Sequence, residues 1–240
     1  MKNIEKIFLF VFFYGMFFYS CKKDKNVEAP VDFGYNYFPD EVGRYVIYEV
    51  DSIFQDDVSN VHDTTRYLLK ELIATSFTDL SGRPTLRIER YFKYYNDTVP
   101  YSAMAWLGPR VWFVNRTSSE LEKVEENVRY IKLVFPAMQG KKWNGNAYNI
   151  FGAQEYKITS TDQADLIGSI GFDSVTVVNQ YEENNLIKHR LEIEKFARNV
   201  GLIYKQKDSV GVQPSSSSDF PPYDDTTGYR FSQKIISYGK

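Results

Sequence analysis

Cysteine is almost absent from this chain: Cys21 is the single thiol in 240 residues. With no second cysteine an intramolecular disulfide is excluded, so the protein must fold on its core alone. Histidine is nearly as scarce, His62 and His189 being the whole complement, and a zinc site built on them would need carboxylates to complete it. Both read as solvated surface residues, so no metal and no cofactor is expected. Neither charge sign is in excess, since 29 Lys and Arg stand against 31 Asp and Glu for a net −2. A nucleic-acid binder would show a basic face, so that partner is not expected. Catalytic signatures are missing as well. There is no Gly-x-Ser-x-Gly elbow, no Ser-x-x-Lys and no glycine-rich phosphate loop, and Asp56-Asp57 and Asp224-Asp225 lack the spacing and glycine of a calcium loop. No residue is assigned a catalytic role, although strand carboxylates such as Glu49, Glu89, Glu192 and Glu194 keep a carbohydrate-active enzyme with paired carboxylates as an alternative.

What is present begins with an address. Residues 1–20 carry Lys2 and Lys6, then an apolar run from Ile7 to Phe18 that is shorter than the roughly 20 residues needed to span a bilayer. Phe18-Tyr19-Ser20-Cys21 resembles the lipobox of bacterial lipoproteins, with small Ser20 before the cysteine and Phe18 where Leu is usual. Cys21 is therefore the expected site of lipidation, by diacylglycerol and an acyl chain such as palmitate. One acyl chain holds a protein only marginally, whereas the several chains on a lipoprotein cysteine make a stable anchor. The expected location is the cell envelope, at the outer membrane.

Aromatic residues are the other surplus: 19 Tyr, 18 Phe and 3 Trp. Rings of this kind favour a pleated, half-buried surface, and Tyr also suits a wet binding surface because its ring buries while its hydroxyl stays hydrated. After a polar tether at 21–36, a single β-rich domain is expected over 37–240. Arg44 to Ile53, Thr65 to Phe77, Leu86 to Tyr95, Val111 to Asn115, Leu121 to Val124 and Tyr130 to Val134 read as strands, and so do Ser174 to Gln180, Leu186 to Phe196, Gly201 to Lys207 and Tyr229 to Tyr238. Within the second, Tyr67 to Leu72 also fits a helix. Thr161 or Asp162 is positioned to cap a short helix ending at Gly168, and 212–227, with its Ser run and Pro221-Pro222, reads as a low-complexity, disordered loop. Short turns between strands imply antiparallel pairing. The expected fold is mainly β, a meander forming a curved sheet, half-barrel or sandwich, with at most one or two short helices.

Three segments carry a resemblance: Tyr37-Phe38-Pro39 with Gly43 to Tyr48, Lys132 to Pro136 with Lys141 to Asn146, and Phe196 to Lys205. Together they resemble uncharacterised lipoproteins of Bacteroidota across nearly the whole mature chain, which implies an anchored β-rich protein without established catalytic residues. In order of features the chain is also similar to lipoprotein-carrier proteins with a curved half-barrel, which implies as an alternative a carrier of lipid or another apolar ligand in a concave cavity. All three Trp lie beside turn-forming residues, in Ala105 to Phe113 and Lys141 to Asn146. Trp143, flanked by Lys141, Lys142, Asn144 and Asn146, is the candidate binding site, its cations favouring an anionic glycan or lipid headgroup. The rival reading makes these Trp plug the end of a β core.

Overall fold

The computed structural model describes residues 31–214 and 224–240. Cys21, the signal segment, most of the tether and the centre of the 212–227 stretch lie outside the described residues. The rest is almost entirely strand: β1 (Tyr45–Asp56), β2 (Val61–Thr78), β3 (Pro84–Tyr94), β4 (Leu107–Arg116), β5 (Glu120–Glu125) and β6 (Val128–Val134), then β7 (Lys142–Asn144), β8 (Glu155–Ile167), β9 (Ile170–Asn184), β10 (Lys188–Ala197), β11 (Gly201–Pro214) and β12 (Asp224–Gly239). Two 3-10 turns, Tyr35–Tyr37 and Tyr101–Ala103, are the helical pieces among the described residues.

All twelve strands form one antiparallel sheet in the order β6-β5-β4-β3-β2-β1-β12-β11-β10-β9-β8-β7. This is a pair of meanders joined where the first strand pairs with the last, Tyr45 opposite Gly239 and Asp56 opposite Thr227. The mainly β, curved meander expected from the sequence is what forms. The sheet curls until its two edges meet through single bonds. The Ile131 N–H of β6 donates to the Gly145 carbonyl at 3.0 Å, the Trp143 indole N–H donates to the Ile131 carbonyl at 2.9 Å, and the Asn149 amide donates to the Arg129 carbonyl at 2.8 Å. Side chains thus satisfy backbone groups that a ladder would otherwise pair. Gly145 is required here, because a Cβ would lie 2.4 Å from the Tyr156 ring.

Closure brings apolar faces of both meanders together. Leu86, Ile88, Val114, Leu121 and Leu133 pack with Tyr156, Ile158, Val178 and Phe196 in one cluster, and Tyr48, Val50, Leu69, Phe92, Ile203 and Ile235 belong to a second with Ile167, Phe172, Val175 and Ala197. One end of the barrel is stoppered by the segment before β1. Tyr37 is fully buried, its hydroxyl donates to Asp162 at 2.8 Å, and the Arg198 guanidinium lies 4.6 Å over its ring. Tyr35 packs edge-on to Phe135 at 4.9 Å, and Asn36 accepts the Asn199 N–H at 2.7 Å. The folded body therefore takes in residues ahead of position 37.

The short helix expected between Thr161 and Gly168 does not form, because those residues belong to β8. What reads as a cap is a bulge: the β8–β9 register shifts between Ser160 and Gln163, Asp162 adopts a φ of +55°, and its carboxylate accepts from Tyr37, Ser174 and Arg198 instead of from helix N–H groups. The hydrogen bond from Arg198 holds that carboxyl well below the usual aspartate range. The Tyr67 to Leu72 stretch, for which a helix was the alternative, lies within β2. The β11–β12 hairpin reaches further into the low-complexity stretch than its composition predicts, with Gly211 opposite Thr227 and Pro214 opposite Asp224. Asp57 fastens it by accepting from the Thr226 N–H at 2.8 Å and hydroxyl at 2.7 Å.

Candidate ligand-binding face

Residues directly opposite in a sheet share a face, so the register shows what lines the concave side. Glu194 stands opposite Lys205 and Glu192 opposite Lys207, Lys205 opposite Gln233 and Lys207 opposite Phe231, and Gln233 opposite Val50. Val50 stands opposite Tyr67, Tyr67 opposite Tyr94 and Glu71 opposite Arg90, and Arg90 opposite Arg110. Contacts between strands that are not neighbours confirm that this face is interior. Lys132 of β6 reaches Glu194 of β10 at 2.9 Å, Lys123 of β5 reaches Glu71 of β2 at 3.2 Å, and Lys205 of β11 reaches Glu125 of β5 at 3.6 Å.

The middle of the barrel is thus spanned by ion pairs. Glu194 is 1% exposed and Lys132 5%, a depth at which an unpaired charge would cost several kcal/mol. Burial pushes the Glu125 carboxyl up, but Lys132, Lys205 and Lys123 outweigh it and hold the group well below the glutamate range. The same balance lowers Glu71, where Lys123 and Arg90 oppose burial, and Glu194, where Lys132 and Lys205 do. Burial acts on Lys132 in the opposite sense and is overcome by Glu125 and Glu194, leaving its ammonium more basic than usual. Three carboxylates converge, yet each is held ionised by cations. A glycosidase pair needs one carboxyl kept protonated as the acid, and this network does the reverse. Of the strand carboxylates considered from the sequence, Glu192 and Glu194 line the concave face, whereas Glu89 takes hydrogen bonds from Arg87 and Tyr91 on the other side.

The cavity above this network measures about 60 Å³ and is bounded by Phe38, Arg44, Ile73, Ile88, Leu121 and Phe196 as well as by Glu71, Lys123, Glu125, Lys132 and Glu194. Pockets for drug-sized ligands run to about 300–1,000 Å³. That cavity therefore has room for a few waters and none for an acyl chain.

Away from the stopper the same face turns aromatic. Phe92 and Tyr94 stack with centroids 6.1 Å apart and planes 9° from parallel, and Tyr67 leans on both at 5.8 and 5.5 Å. Arg110 lies 4.9 Å over Phe92, and the Trp112 ring has the Arg90 guanidinium 3.4 Å and the Lys123 ammonium 4.7 Å from its centroid. Across the sheet, Arg190 lies 3.9 Å over Tyr181, pairs with Glu192 at 2.6 Å, and shares that carboxylate with Lys207 at 3.6 Å. Phe92 is buried while Tyr94 is 42% exposed and Arg110 is exposed. The arrangement presents ring faces, a phenol and a guanidinium to solvent from rigid strands.

The residues singled out from the sequence sit elsewhere, at the seam. Trp143 is half-buried, meets Tyr156 edge-on at 5.8 Å and packs against the first core cluster. The Lys141 ammonium donates to the Phe135 carbonyl at 2.8 Å, and Lys142 pairs with Glu155 at 2.7 Å. The Asn144 side-chain oxygen accepts the N–H groups of Asn146 and Gln154, both at 3.0 Å, and the buried Asn146 amide donates to the Gly152 carbonyl at 2.8 Å. Their polar groups are thus engaged within the protein. Among the described residues no group of three or more His, Cys, Asp or Glu is placed to hold a metal ion. The Ala105 to Phe113 segment does reach the concave face, through Trp112 and Arg110. Its sequence signal is the tryptophans, and nothing in a single sequence marks Arg110 as lying opposite Arg90.

No family model matches this chain, and no curated protein matches it. Among solved structures, one from Bacteroides fragilis NCTC 9343 with a YmcC-like fold is similar at 10% identity and a TM-score of 0.42, over 88% of this chain and 100% of that one.

Proposed function

We propose that this chain is a lipoprotein of the cell envelope, anchored through a lipid on Cys21 to the outer membrane, whose β domain is a non-catalytic binding module that uses its concave face. The observation that carries the binding role is the pairing of opposite characters on one face. In the middle, converging carboxylates are neutralised by Lys123, Lys132 and Lys205, which removes a general acid. Toward the β3–β4 side, Tyr94 and Arg110 offer an exposed ring and an exposed charge around Phe92. Ligand sites combine an apolar surface with a few placed polar groups, and this region does so. The anchor rests on the sequence before Cys21. An apolar carrier is the weaker reading, because the interior is filled by side chains and crossed by charge.

Two measurements test the proposal. Cys21→Ala should move the protein from the membrane to the soluble fraction after a high-salt wash, and continued sedimentation with membranes would refute the anchor. For the domain, backbone amide shifts of residues 31–240 titrated with envelope polysaccharide fragments should move in β2, β3 and β4, which carry Tyr67, Phe92, Tyr94 and Arg110. Shifts confined to the convex face would refute the concave site.

A further inference from the structure

We infer that the Tyr94–Phe92–Arg110 platform binds an acidic glycan, with Arg110 taking a sugar carboxylate and Tyr94 stacking on the ring beside it. The inference rests on the concave face being the binding surface and adds the ligand's chemistry.

Arg90 and Arg110 stand directly opposite in the β3–β4 ladder, where like charges destabilise a sheet. Arg90 is neutralised, its Nε donating to Glu71 at 2.9 Å. Among the described residues Arg110 forms no ion pair with a carboxylate, and its guanidinium lies 4.9 Å over the Phe92 ring. A strand position that sets an exposed guanidinium against a second guanidinium is stabilised by an anion from outside, and a guanidinium fork matches a carboxylate in two parallel hydrogen bonds. Next to it, Tyr94 is half in solvent and stacked on Phe92, the geometry in which an aromatic ring covers the apolar face of a pyranose while its hydroxyl stays wet.

The charge pattern selects the class of anion. The neighbouring cations of the concave face are already paired, Arg90 and Lys123 with Glu71 and Arg190 with Glu192. A single-stranded nucleic acid carries a phosphate at every nucleotide and is held by a groove of cations along its backbone. One uncompensated arginine beside a ring fits a ligand with sparse charge, as a uronic-acid-containing glycan has. A flat bilayer fits less well, because Arg110 and Tyr94 stand on the concave face of a curled sheet.

The test is calorimetric titration of the domain with oligogalacturonate of four to six sugars, and with the neutral cello-oligosaccharide of equal length. The expected result is saturable binding of the acidic oligomer, at least tenfold tighter than the neutral one and weakened by salt. Arg110→Gln and Tyr94→Ala should each reduce it at least tenfold with melting temperatures within about 3 °C of the parent. Equal affinity for both oligomers, lost in the two variants, would overturn the acidic ligand and keep the binding face. Preferential binding of oligothymidylate or of anionic phospholipid vesicles would overturn the glycan. Acidic-glycan binding undiminished in both variants would overturn the platform itself.

Discussion

Replacing Lys132 by Met leaves a methylene stem of similar shape and deletes one charge from the middle of the barrel. In the parent, its ammonium lies 2.9 Å from Glu194 and 3.4 Å from Glu125. At an effective dielectric of about 20, unit charges roughly 3 Å apart attract by about 5 kcal/mol, and desolvation of both partners offsets part of this. Removing one member of a buried pair typically costs about 3–5 kcal/mol because the other charge is stranded. Here Lys205 remains 3.4 Å from Glu194 and 3.6 Å from Glu125, so the lower end applies, about 3 kcal/mol. For a domain of this size that is a fall in Tm of roughly 6–12 °C, readable by calorimetry at pH 7. The double variant Lys132→Met with Glu194→Leu removes the stranded charge together with its partner. It should recover most of the loss and come within about 1 kcal/mol of the parent, since apolar replacement of a whole buried pair is often neutral. If Lys132→Met alone costs less than about 1 kcal/mol, water reaches these charges and the picture of a packed ionic interior is wrong. If the double variant is worse than the single, Glu194 has a role that pairing with Lys132 does not describe.

Acid should act on the same residues. Glu71, Glu125 and Glu194 have folded-state values below the ordinary 4.5, so the stability they add is complete above about pH 4.5 and is lost as pH falls through the lower folded values; Tm should be level from pH 7 to about 5.5 and drop steeply below 4.5, and a flat profile down to pH 3 would refute the assignment. Trp143→Ala, which removes a half-buried ring and one of the bonds closing the seam, should cost about 2–3 kcal/mol, less than the 3–5 typical of a fully buried Trp; an unchanged melt would show that the indole is dispensable to the fold. Gly145→Ala should be destabilising by at least about 1 kcal/mol, because the new methyl meets the Tyr156 ring and overpacking of this kind costs about 1–3 kcal/mol; a neutral result would mean the seam yields easily.

The strands were legible because alternation and ring content are local properties. Leu86, Ile88 and Phe92 mark one face of β3 wherever β3 lies, and Tyr48 and Val50 do the same for β1. The breaks in that alternation were not legible. Asp162 sits in β8 with the polar, capping look of a helix start, yet its carboxylate is taken by Tyr37 and Arg198, which lie 125 and 36 residues away in the chain. Local sequence carries no sign of these distant partners, so it points to a helix where a tertiary bulge forms.

The candidate site fails to show in the sequence for a related reason, and the comparison of Trp143 with Arg110 makes it concrete. Trp143 stands out because cations and amides crowd it within six residues. In the structure the same residues bond within a tight loop: Asn144 and Asn146 satisfy backbone groups of the loop, and the indole N–H substitutes for a ladder bond where β6 and β7 do not pair. Arg110 looks ordinary, one of several arginines in strands. Its significance comes from register alone, since β3 and β4 place it opposite Arg90 while Glu71, nineteen residues before Arg90, neutralises only the latter. Polar residues close in sequence tend to serve one another, because a turn must satisfy its own N–H and C=O groups. A charge left over after every strand has found its neighbour is a property of the assembled sheet. In a closed β fold, groups free to meet a ligand are therefore to be sought among the residues whose cross-strand partners fail to neutralise them.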